Sequence, residues 1–504
     1  LEKIYQDLVN HEFIANQIAE KVHDNYKMSS MNLFRYLLLR KHDLRNLHDH
    51  LSEIGISSLR SSESYVYKNV ADTLQLTKLV NKKDWSPEPN VASIGYKKSR
   101  KIINKHRYDL FGKKTGVRDT KIMVTLPSEA ASDIEYVREL MINGMELARI
   151  NMSHDNQETW LNMIKTVHQA SKDLKTKCYI YMDLSGPKIR TGEIQTTKKK
   201  KKQINYISIK KGDHIVVHET SIKGHSAKYG KQNELIKAAE ISITNDQIIK
   251  DLAIGERILF DDGKIETKII GKSKNKVKAI VINDSDKKLK LRSGKGVNFP
   301  DSVLTLPSLT ESDISNIPFA LEYADIIGYS FVRHVHDVEY LINVLQSQKK
   351  KKLPGIVLKI ENKEAFEQLP MLLTKAMELP KIGVMIARGD LAVELGAERI
   401  SEVQDQIMWI CEAAHVPVIW ATQVLENLAK TGIATRAEVS DASIGAKAEC
   451  VMLNKGPFIH KAVSTLSDIL IRMEKHLSKK KSRMRSLAIA SYNMREIPRQ
   501  ILKV

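Results

Sequence analysis

Residues 353–390 are LPGIVLKIENKEAFEQLPMLLTKAMELPKIGVMIARGD, and this stretch decides the fold. It contains two apolar runs, 355–358 and 382–386, and residues 363–377 between them have the pattern of a helix. A short β-branched run, a helix-length connection and a second such run predict a βαβ unit. Each run ends in charged residues, and the carboxyl ends of parallel strands share one edge, where α/β enzymes place their sites. We therefore expect a site at that edge; an ion-paired strand end is the alternative for either run alone.

Eight such runs follow residue 120, and helical connections separate most of them. They lie at residues 121–126, 147–153, 179–184, 325–332, 356–361, 382–388, 416–422 and 451–454. Eight parallel strands alternating with helices predict an α/β protein with a closed TIM (β/α)8 barrel, and an open doubly wound sheet is the alternative.

The connection after the third run exceeds a hundred residues, which is too long for one loop and one helix. Within it, residues 206–220, 257–270 and 277–283 alternate in hydrophobicity as strands do. This alternation predicts a small inserted β-barrel domain. An insertion at the carboxyl ends of the strands is placed to act as a lid over a site there.

The two ends of the chain differ from the barrel pattern. Apolar stripes over residues 1–82 predict a helical bundle, and a basic connector follows it from 83 to 118. The predicted domains are an N-terminal helical domain with its connector (1–115), the barrel (116–191 and 297–477), the β lid (192–296) and a basic C-terminal tail (478–504). We expect this tail to be a partly ordered appendage.

The chain of 504 residues has 80 Lys and Arg against 60 Asp and Glu, a net charge of +20. Much of the excess lies in lysine tracts at 198–202 and 349–352 that have no interleaved aromatic residues. Solvated loops therefore explain the tracts better than a nucleic-acid partner does. A basic balance could also indicate a membrane surface or phosphorylated small molecules as partners.

The cysteines and the apolar segments indicate the compartment. Cys178, Cys411 and Cys450 each lie in an apolar stretch, which predicts buried thiols in a reducing compartment. No apolar run is long enough to span a bilayer, and no signal peptide is visible. We expect a cytoplasmic protein without a membrane partner.

Polar and charged residues follow most of the predicted barrel strands. They are Arg149, Asn151, Ser153 and His154 after the second, Asp183, Lys188 and Arg190 after the third, Lys359 and Glu361 at the fifth, Arg388, Gly389 and Asp390 at the sixth, and Thr422 and Gln423 at the seventh. Carboxylates suit Mg²⁺, whereas Arg and Lys suit phosphate. A metal beside cations is what phosphoryl transfer needs, and the sequence has neither a Walker A loop nor a kinase Gly-rich loop.

Six segments, in chain order, resemble motifs of the pyruvate kinase family. They are 147–154 (LARINMSH), 183–192 (DLSGPKIRTG), 358–362 (LKIEN), 385–394 (MIARGDLAVE), 421–423 (ATQ) and 435–441 (TRAEVSD). The resemblance extends from about residue 120 to 476 and includes the lid. Each segment alone is moderately specific, and the ordered set is very specific.

The resemblance implies a transfer of the phosphoryl group from phosphoenolpyruvate to ADP that gives pyruvate and ATP, a step of glycolysis. By position, Arg149 and Lys359 would hold the phosphoryl group, and Lys359 would counter charge in the transition state. Glu361 and Asp390 would bind Mg²⁺ or Mn²⁺. These roles agree with the physics, because preorganised cations lower the barrier for an enolate and a phosphoryl group that both carry negative charge.

The same resemblance assigns the remaining residues. The Gly389 backbone and the Thr422 side chain would seat the substrate carboxylate, and Thr422 would lie on the route that protonates the enolate. His154 and Arg190 would face the nucleotide. The residues that match the family's monovalent-cation site are Asn151, Ser153 and Asp183.

The departures from the family pattern carry predictions of their own. Lys188 stands where potassium-dependent members carry glutamate, and Leu184 where they carry threonine, so we predict that the ammonium replaces K⁺ and that K⁺ is not required. Residues 454–457 (NKGP) replace a segment near the nucleotide. The family's C-terminal domain does not occur in this sequence, so we expect no effector control of that kind and a dimer rather than the family tetramer.

Alternatives remain at each level. Rim salt bridges could explain Arg149, Lys359, Glu361 and Asp390, and a hydrogen-bond network could explain the three cation-site residues. His154 and Arg190 could be surface residues, and Thr422 a cap of its strand. Two other functions stay open: a barrel enzyme that uses phosphoenolpyruvate or a related enolic acid with another acceptor, and a catalytically weak paralogue that acts through its helical domain.

Overall fold

The computed structural model describes residues 1–56, 59–114, 116–199, 202–230, 232, 235–245, 247–283, 287–474 and 486–502. The middle of the lysine tract predicted as a loop at 198–202, and residues 478–485 of the predicted tail, lie outside these residues. No helix in the described part of the chain is long and apolar enough to cross a membrane.

The chain begins with a bundle of helices packed around one buried helix. The helices are α1 (Glu2–Asn10), α2 (Glu12–Glu20), α3 (Lys27–Arg40), α4 (Arg45–Glu53) and α5 (Val66–Val80). Twelve consecutive residues of α3, from 29 to 40, are buried, because helices of the bundle and of the barrel cover it on several sides. The bundle contacts the barrel directly: the Ile382 N–H donates to the Tyr26 hydroxyl at 3.0 Å.

The predicted connector contains a sixth helix, α6 (Tyr96–Phe111). The helix buries a narrow face of Ser99, His106 and Leu110, which the predominance of basic residues made hard to recognise in the sequence. The helix ends at Gly112, which has a φ of +80°, and its last two residues enter the N-terminal mouth of the barrel. Leu110 and Phe111 together form the apolar plug of this mouth.

The first three barrel strands alternate with helices. The elements are β1 (Lys121–Thr125), α7 (Ile134–Asn143), β2 (Leu147–Asn151), α8 (Gln157–Asp173) and β3 (Tyr179–Asp183). Asp133 and Asn156 cap α7 and α8, each accepting a backbone N–H of the first turn. These caps satisfy free backbone donors of the first turn and thereby fix the residue at which each helix begins.

The inserted β domain follows β3. Its strands are β4 (Thr197–Lys199), β5 (Lys202–Ile204), β6 (Tyr206–Ile209), β7 (His214–His218), β8 (Lys228–Tyr229), β9 (Leu235–Lys237), β10 (Ala239–Ser242), β11 (Arg257–Phe260), β12 (Ile265–Ser273), β13 (Lys276–Val281), β14 (Leu289–Arg292) and β15 (Val297–Asn298). Six of them form a sheet in the order β10-β7-β13-β12-β11-β15, and β6 pairs with β14. The domain has an apolar core of its own, which includes Ile215, Ile258 and Val277. The flanks of the 198–202 tract lie in the β4–β5 hairpin rather than in a loop.

The rest of the chain completes the barrel. The elements are α9 (Glu311–Tyr323), β16 (Ile326–Tyr329), α10 (Val335–Ser347), β17 (Gly355–Ile360), α11 (Lys363–Glu367), α12 (Leu369–Ala376), β18 (Ile382–Ala387), α13 (Arg388–Leu395), α14 (Ile400–Ala413), β19 (Val418–Ala421), α15 (Glu426–Thr431), α16 (Arg436–Gly445), β20 (Cys450–Leu453), α17 (Ile459–Glu474) and α18 (Ala488–Leu502). The single helix predicted over 363–377 is two helices, because Pro370 begins a new one.

The barrel is closed by parallel pairing in the order β1-β2-β3-β16-β17-β18-β19-β20, with β20 pairing back to β1. The predicted TIM barrel is therefore confirmed, and the open doubly wound sheet is wrong. The three cysteines are buried, as predicted, and none of them forms a disulfide within the described part of the chain. The reducing compartment stays a prediction, and so do the domain boundaries at 115, 191, 297 and 477.

The end of the chain returns to the bundle. Helix α18 packs on α3 and α2, burying Leu487, Ile489 and Ile497, and the Asn493 amide donates to the Glu367 carbonyl at 2.8 Å. A composition dominated by Lys and Arg hid this apolar face. The segment predicted as a basic appendage thus contributes an ordered helix to the N-terminal side of the molecule.

Candidate active site

A buried group of charged side chains lies at the carboxyl ends of β2, β3 and β17. Lys359 Nζ donates to Asp183 Oδ2 at 3.1 Å and lies 3.0 Å from Glu361 Oε1. Arg149 Nε donates to the same Asp183 oxygen at 3.1 Å, with a second bond from its Nη2. Three of these four side chains are less than a tenth exposed, and that of Arg149 is 11% exposed. Two cations and two carboxylates therefore neutralise one another within the mouth of the barrel.

The strand period explains why these side chains face inward. Along β17, Val357 belongs to the core inside the barrel, whereas Leu358 and Ile360 pack against the surrounding helices. Successive side chains of a strand point to opposite faces, so Lys359 faces the same way as Val357. Lys359 is therefore a residue of the strand itself whose ammonium lies at the barrel mouth, and the strand fixes the position of its backbone.

The protonation states follow from this pairing. Burial alone would raise the pKa of Asp183, but Lys359 and Arg149 outweigh it and hold that pKa below its usual value. Burial would lower the pKa of Lys359, but Asp183 and Glu361 hold it above its usual value. The group thus keeps a permanent ammonium at the mouth at neutral pH.

Glu361 behaves differently from Asp183. Burial raises the pKa of its carboxyl above the ordinary value; Lys359 opposes this rise, and the negative charges of Asp390 and Asp183 add to it. The backbone N–H of Phe331 donates to its second oxygen at 2.7 Å. A carboxylate whose pKa rises beside another carboxylate is a site where an added cation would be stabilised.

Glu361 and Asp390 line the same cleft, which encloses about 130 Å³. Two carboxylates in one cleft fit Mg²⁺ or Mn²⁺, which take one or two protein carboxylates and complete the shell with substrate oxygens and water. No group of three or more His, Cys, Asp or Glu side chains converges as a metal site in the described part of the chain. The donor set therefore suits a hard divalent cation that is shared with a ligand.

Lys188 approaches this pair from the segment that connects β3 to the inserted β domain. Its Nζ donates to Asp390 Oδ1 at 2.9 Å. The replacement of K⁺ by this ammonium stays a prediction, because the lysine here contacts a carboxylate assigned to the divalent metal. The Asp183 oxygen that faces away from Arg149 and Lys359 has no hydrogen-bond partner among the described residues.

The backbone after β19 is left-handed at Thr422 and Gln423, with φ values of +63° and +55°. The Thr422 hydroxyl accepts the Gly389 N–H at 2.8 Å. Arg388 holds this turn: its Nε donates to the Ala421 carbonyl at 3.0 Å, and its Nη atoms bind both the Thr422 carbonyl and Asp441. Gly389 and Thr422 are thus in contact, and their seating of the substrate carboxylate stays a prediction.

The cleft collects most of the predicted site residues. Its lining includes Arg149, Asn151, Ser153, Asp183, Lys188, Arg190, Lys359, Glu361, Asp390 and Thr422. The Arg190 guanidinium also donates to the Gly294 carbonyl of the lid at 3.1 Å. His154 is exposed, and its side chain is not part of the described lining.

The sequence left some functional contacts unassigned. Ser330 Oγ accepts from Lys359 at 2.6 Å and donates to the Leu184 carbonyl at 2.6 Å. Its place directly after β16 is the signal that could have identified it, since the other site residues also follow strands. Asn298 of the lid donates to Glu394 at 2.8 Å, and burial raises the pKa of that carboxyl to about 7. No local sequence signal predicts this pair.

Comparisons with known proteins identify the family of the barrel. The family model for the pyruvate kinase barrel domain matches residues 117–458. The pyruvate kinase of Staphylococcus aureus strain USA300 is 32% identical over 367 residues, which cover 71% of this chain and 57% of that protein, and strain NCTC 8325 gives the same values. The chain thus spans 57% of the length of these curated relatives.

A solved structure is also similar. A pyruvate kinase from Cryptosporidium parvum superposes with a TM-score of 0.62 at 26% identity, covering 72% of this chain and 70% of that one.

Proposed function

This chain belongs to the pyruvate kinase family, and from that premise we propose that it transfers the phosphoryl group of phosphoenolpyruvate to ADP, giving pyruvate and ATP. The observation that supports this reaction best is the buried contact of the Lys359 ammonium with Asp183 and Glu361 at the barrel mouth. Phosphoryl transfer depends on positioned positive charge, and this cluster supplies it without reorganisation. Work in glycolysis and a cytoplasmic location belong to the same proposal.

The cations of the cluster take the phosphoryl group. Lys359 stays protonated because two carboxylates raise its pKa, so its positive charge is present before substrate arrives. Arg149 is oriented by Asp183 and by the Thr125 hydroxyl, which accepts from its Nη1 at 2.9 Å. The bond from the enol oxygen to phosphorus breaks, and phosphorus forms a new bond to a terminal phosphate oxygen of ADP. The two side chains offset the negative charge of the phosphoryl group during this transfer.

The carboxylates and the threonine complete the site. Glu361 and Asp390 would hold Mg²⁺ or Mn²⁺, which supplies charge neutralisation and polarises the enolpyruvate oxygens when bound. Thr422 uses an oxygen lone pair for the Gly389 N–H, so its hydroxyl hydrogen remains free to point into the cleft. This orientation suits a residue on the route that delivers a proton to the enolate carbon.

The test is a coupled assay of pyruvate formation from phosphoenolpyruvate and ADP, with and without Mg²⁺. We expect metal-dependent activity in the wild type and its loss in Glu361→Gln, which keeps the shape of the side chain and removes its charge. Equal turnover in Na⁺ and K⁺ is expected if Lys188 replaces K⁺. A steep activation by K⁺ contradicts that part of the proposal.

A second candidate function differs in the acceptor of the phosphoryl group. His154 lies outside the described lining of the cleft, and residues 454–457 differ from the family segment. These observations favour an enzyme that takes the same phosphorylated enol with another acceptor. Binding of phosphoenolpyruvate without pyruvate formation from any nucleoside diphosphate would support it and reject ADP as the acceptor.

A further inference from the structure

One ammonium lies on a carboxylate that the proposed function assigns to the divalent cation. Lys188 Nζ contacts Asp390 Oδ1 at 2.9 Å, and this is the ion pair that Lys188 makes among the described residues. Lys359 contacts Glu361, the other assigned carboxylate, at 3.0 Å. Each carboxylate of the pair therefore already carries a lysine from the protein itself.

The two lysines differ in how firmly they are held. Lys359 is 9% exposed and has three polar partners, Asp183, Glu361 and Ser330. Lys188 is 30% exposed, and its carboxylate partner is 19% exposed. An ion pair with that much solvent access is weak and exchanges readily. The Lys188 side chain can therefore move away from its carboxylate partner, whereas that of Lys359 is held in place by its three partners.

The backbone keeps Lys188 at this position. Gly186, two residues earlier, has a φ of +63°, and a Cβ there would lie 2.6 Å from the Phe331 ring. The chain therefore turns closely under Phe331, and the Lys188 ammonium lies 5.9 Å from the centre of that ring. The aromatic face gives the ammonium a second favourable place once Asp390 is taken.

From these contacts we infer that Lys188 competes with the divalent cation for Asp390, so that metal binding displaces the lysine. The inference rests on the proposed function, because it needs Asp390 to be a metal ligand. A divalent cation bound at Asp390 would repel the ammonium on the same carboxylate, so metal binding has to break or weaken the Lys188–Asp390 pair. The lysine therefore lowers the affinity of the enzyme for its metal.

The test measures metal binding directly, without turnover. Free Mn²⁺ is titrated by electron paramagnetic resonance against the full chain as wild type, Lys188→Met and Lys188→Gln. A partly exposed ion pair predicts that both variants bind Mn²⁺ about fivefold more tightly. Two neutral replacements guard against a folding defect in either one, and the thermal unfolding curve of each is recorded.

Two further variants separate the outcomes. Lys264→Met removes a lid lysine that pairs with Asp261 instead, and it should leave the Mn²⁺ affinity unchanged. Glu361→Gln should weaken Mn²⁺ binding about tenfold or more. If Glu361→Gln weakens binding but neither Lys188 variant tightens it, or if Lys264→Met tightens it equally, the competition is rejected and the metal site stands. If Glu361→Gln has no effect, the metal site and the inference are both rejected.

Discussion

The two mouths of the barrel are built from opposite materials. The C-terminal mouth buries Arg149, Asp183, Lys359 and Glu361, whose charges survive only because they pair. The N-terminal mouth is closed by apolar residues at the end of α6. Paired buried charges contribute little net stability because desolvation offsets their attraction, whereas buried apolar surface stabilises directly. The difference teaches that chemistry and stability are assigned to separate ends, as the architecture of such barrels allows.

Removal of Lys359 should give the largest effect, and it should fall on activity. Lys359→Met takes away the fixed positive charge that the proposed reaction uses to hold the phosphoryl group. We expect kcat to fall by a thousandfold or more, about 4 kcal/mol of barrier. The measurement is the coupled pyruvate assay at saturating substrate.

The matched control is Lys177→Met. Lys177 pairs with Asp325 at 2.9 Å but is 58% exposed and lies before β3, away from the cleft. Its loss should leave kcat unchanged. Near-normal turnover of Lys359→Met would show that the charges of the C-terminal mouth serve the fold alone, and the contrast between the two mouths would disappear.

The apolar plug predicts the opposite behaviour. Phe111 is fully buried at the N-terminal mouth. Phe111→Ala should lower the free energy of unfolding by about 3 to 4 kcal/mol, because it leaves a cavity that the barrel cannot close. Urea unfolding gives this value, and the kcat of the folded fraction should stay within about twofold of wild type.

The control for the plug is Val117→Ala, a change at a side chain that is 73% exposed, which should alter the unfolding free energy by less than about 0.5 kcal/mol. A Phe111→Ala protein of normal stability would mean that the plug does not support the barrel. A large loss of kcat in the folded variant would mean that the two ends are coupled.

The same contrast explains what the sequence could predict. Apolar runs that end in charge identify β17 and β18, and the geometry of parallel strands brings Lys359, Glu361 and Asp390 to one cleft. The apolar plug could not be predicted from the sequence. Leu110 and Phe111 end a basic helix, and they contact their partners only after the barrel has closed. Gly355 and Gly383 face Leu110, where a Cβ would lie 2.3 and 2.6 Å from it, but nothing local to either glycine predicts that contact.

The polar contacts between distant segments were equally hidden. Lys188 and Asp390 are separated by 202 residues, and Arg388 and Asp441 by 53. Strand ends predict which residues reach the mouth, but which cation pairs with which anion depends on side-chain distances that only the folded chain sets. Lys188 is the clearest case: its position in the sequence predicted an ammonium in the monovalent-cation site, whereas its ammonium contacts Asp390.

A third prediction concerns the uncharged polar contacts on the N-terminal side. His415 is fully buried; its ring nitrogens contact Ser29 Oγ at 3.0 Å and the Ser64 carbonyl at 2.8 Å, and the His106 nitrogen contacts the His415 carbonyl at 2.8 Å. Burial lowers the pKa of His415 to about 4, and His106 adds to this effect. The unfolded chain binds a proton near pH 6.5, so stability is complete above that pH and falls as the pH falls towards about 4.

We expect this histidine to account for a loss of about 3 kcal/mol across that range. Urea unfolding between about pH 7 and pH 5 measures the slope, which should be reduced in His415→Gln and unchanged in His50→Gln, a change at an exposed histidine. A wild-type slope in His415→Gln would assign the acid sensitivity to His106 instead, whose pKa burial also lowers.

The smallest effect is expected at Asp441, which acts on the C-terminal mouth only through Arg388. Asp441→Asn removes the charge that holds the guanidinium, while Arg388 keeps its bonds to the Ala421 and Thr422 carbonyls and its place 4.7 Å from the Trp420 ring. The left-handed turn at Thr422 should therefore loosen rather than collapse, and kcat should fall about tenfold, about 1.4 kcal/mol of barrier.

A proton-transfer readout shows whether Asp441 positions Thr422 or only supports the fold. Exchange of the pyruvate methyl protons with D₂O, followed by NMR, should slow more in Asp441→Asn than phosphoryl transfer does, because Thr422 lies on the proposed proton route. Asp405→Asn, at an exposed carboxylate 4.0 Å from Lys447, should change neither rate. If Asp441→Asn lowered both rates equally, the carboxylate would act on the whole mouth. The contrast between the two ends would then be weaker, since charge at the C-terminal mouth would support the fold there as well as the reaction.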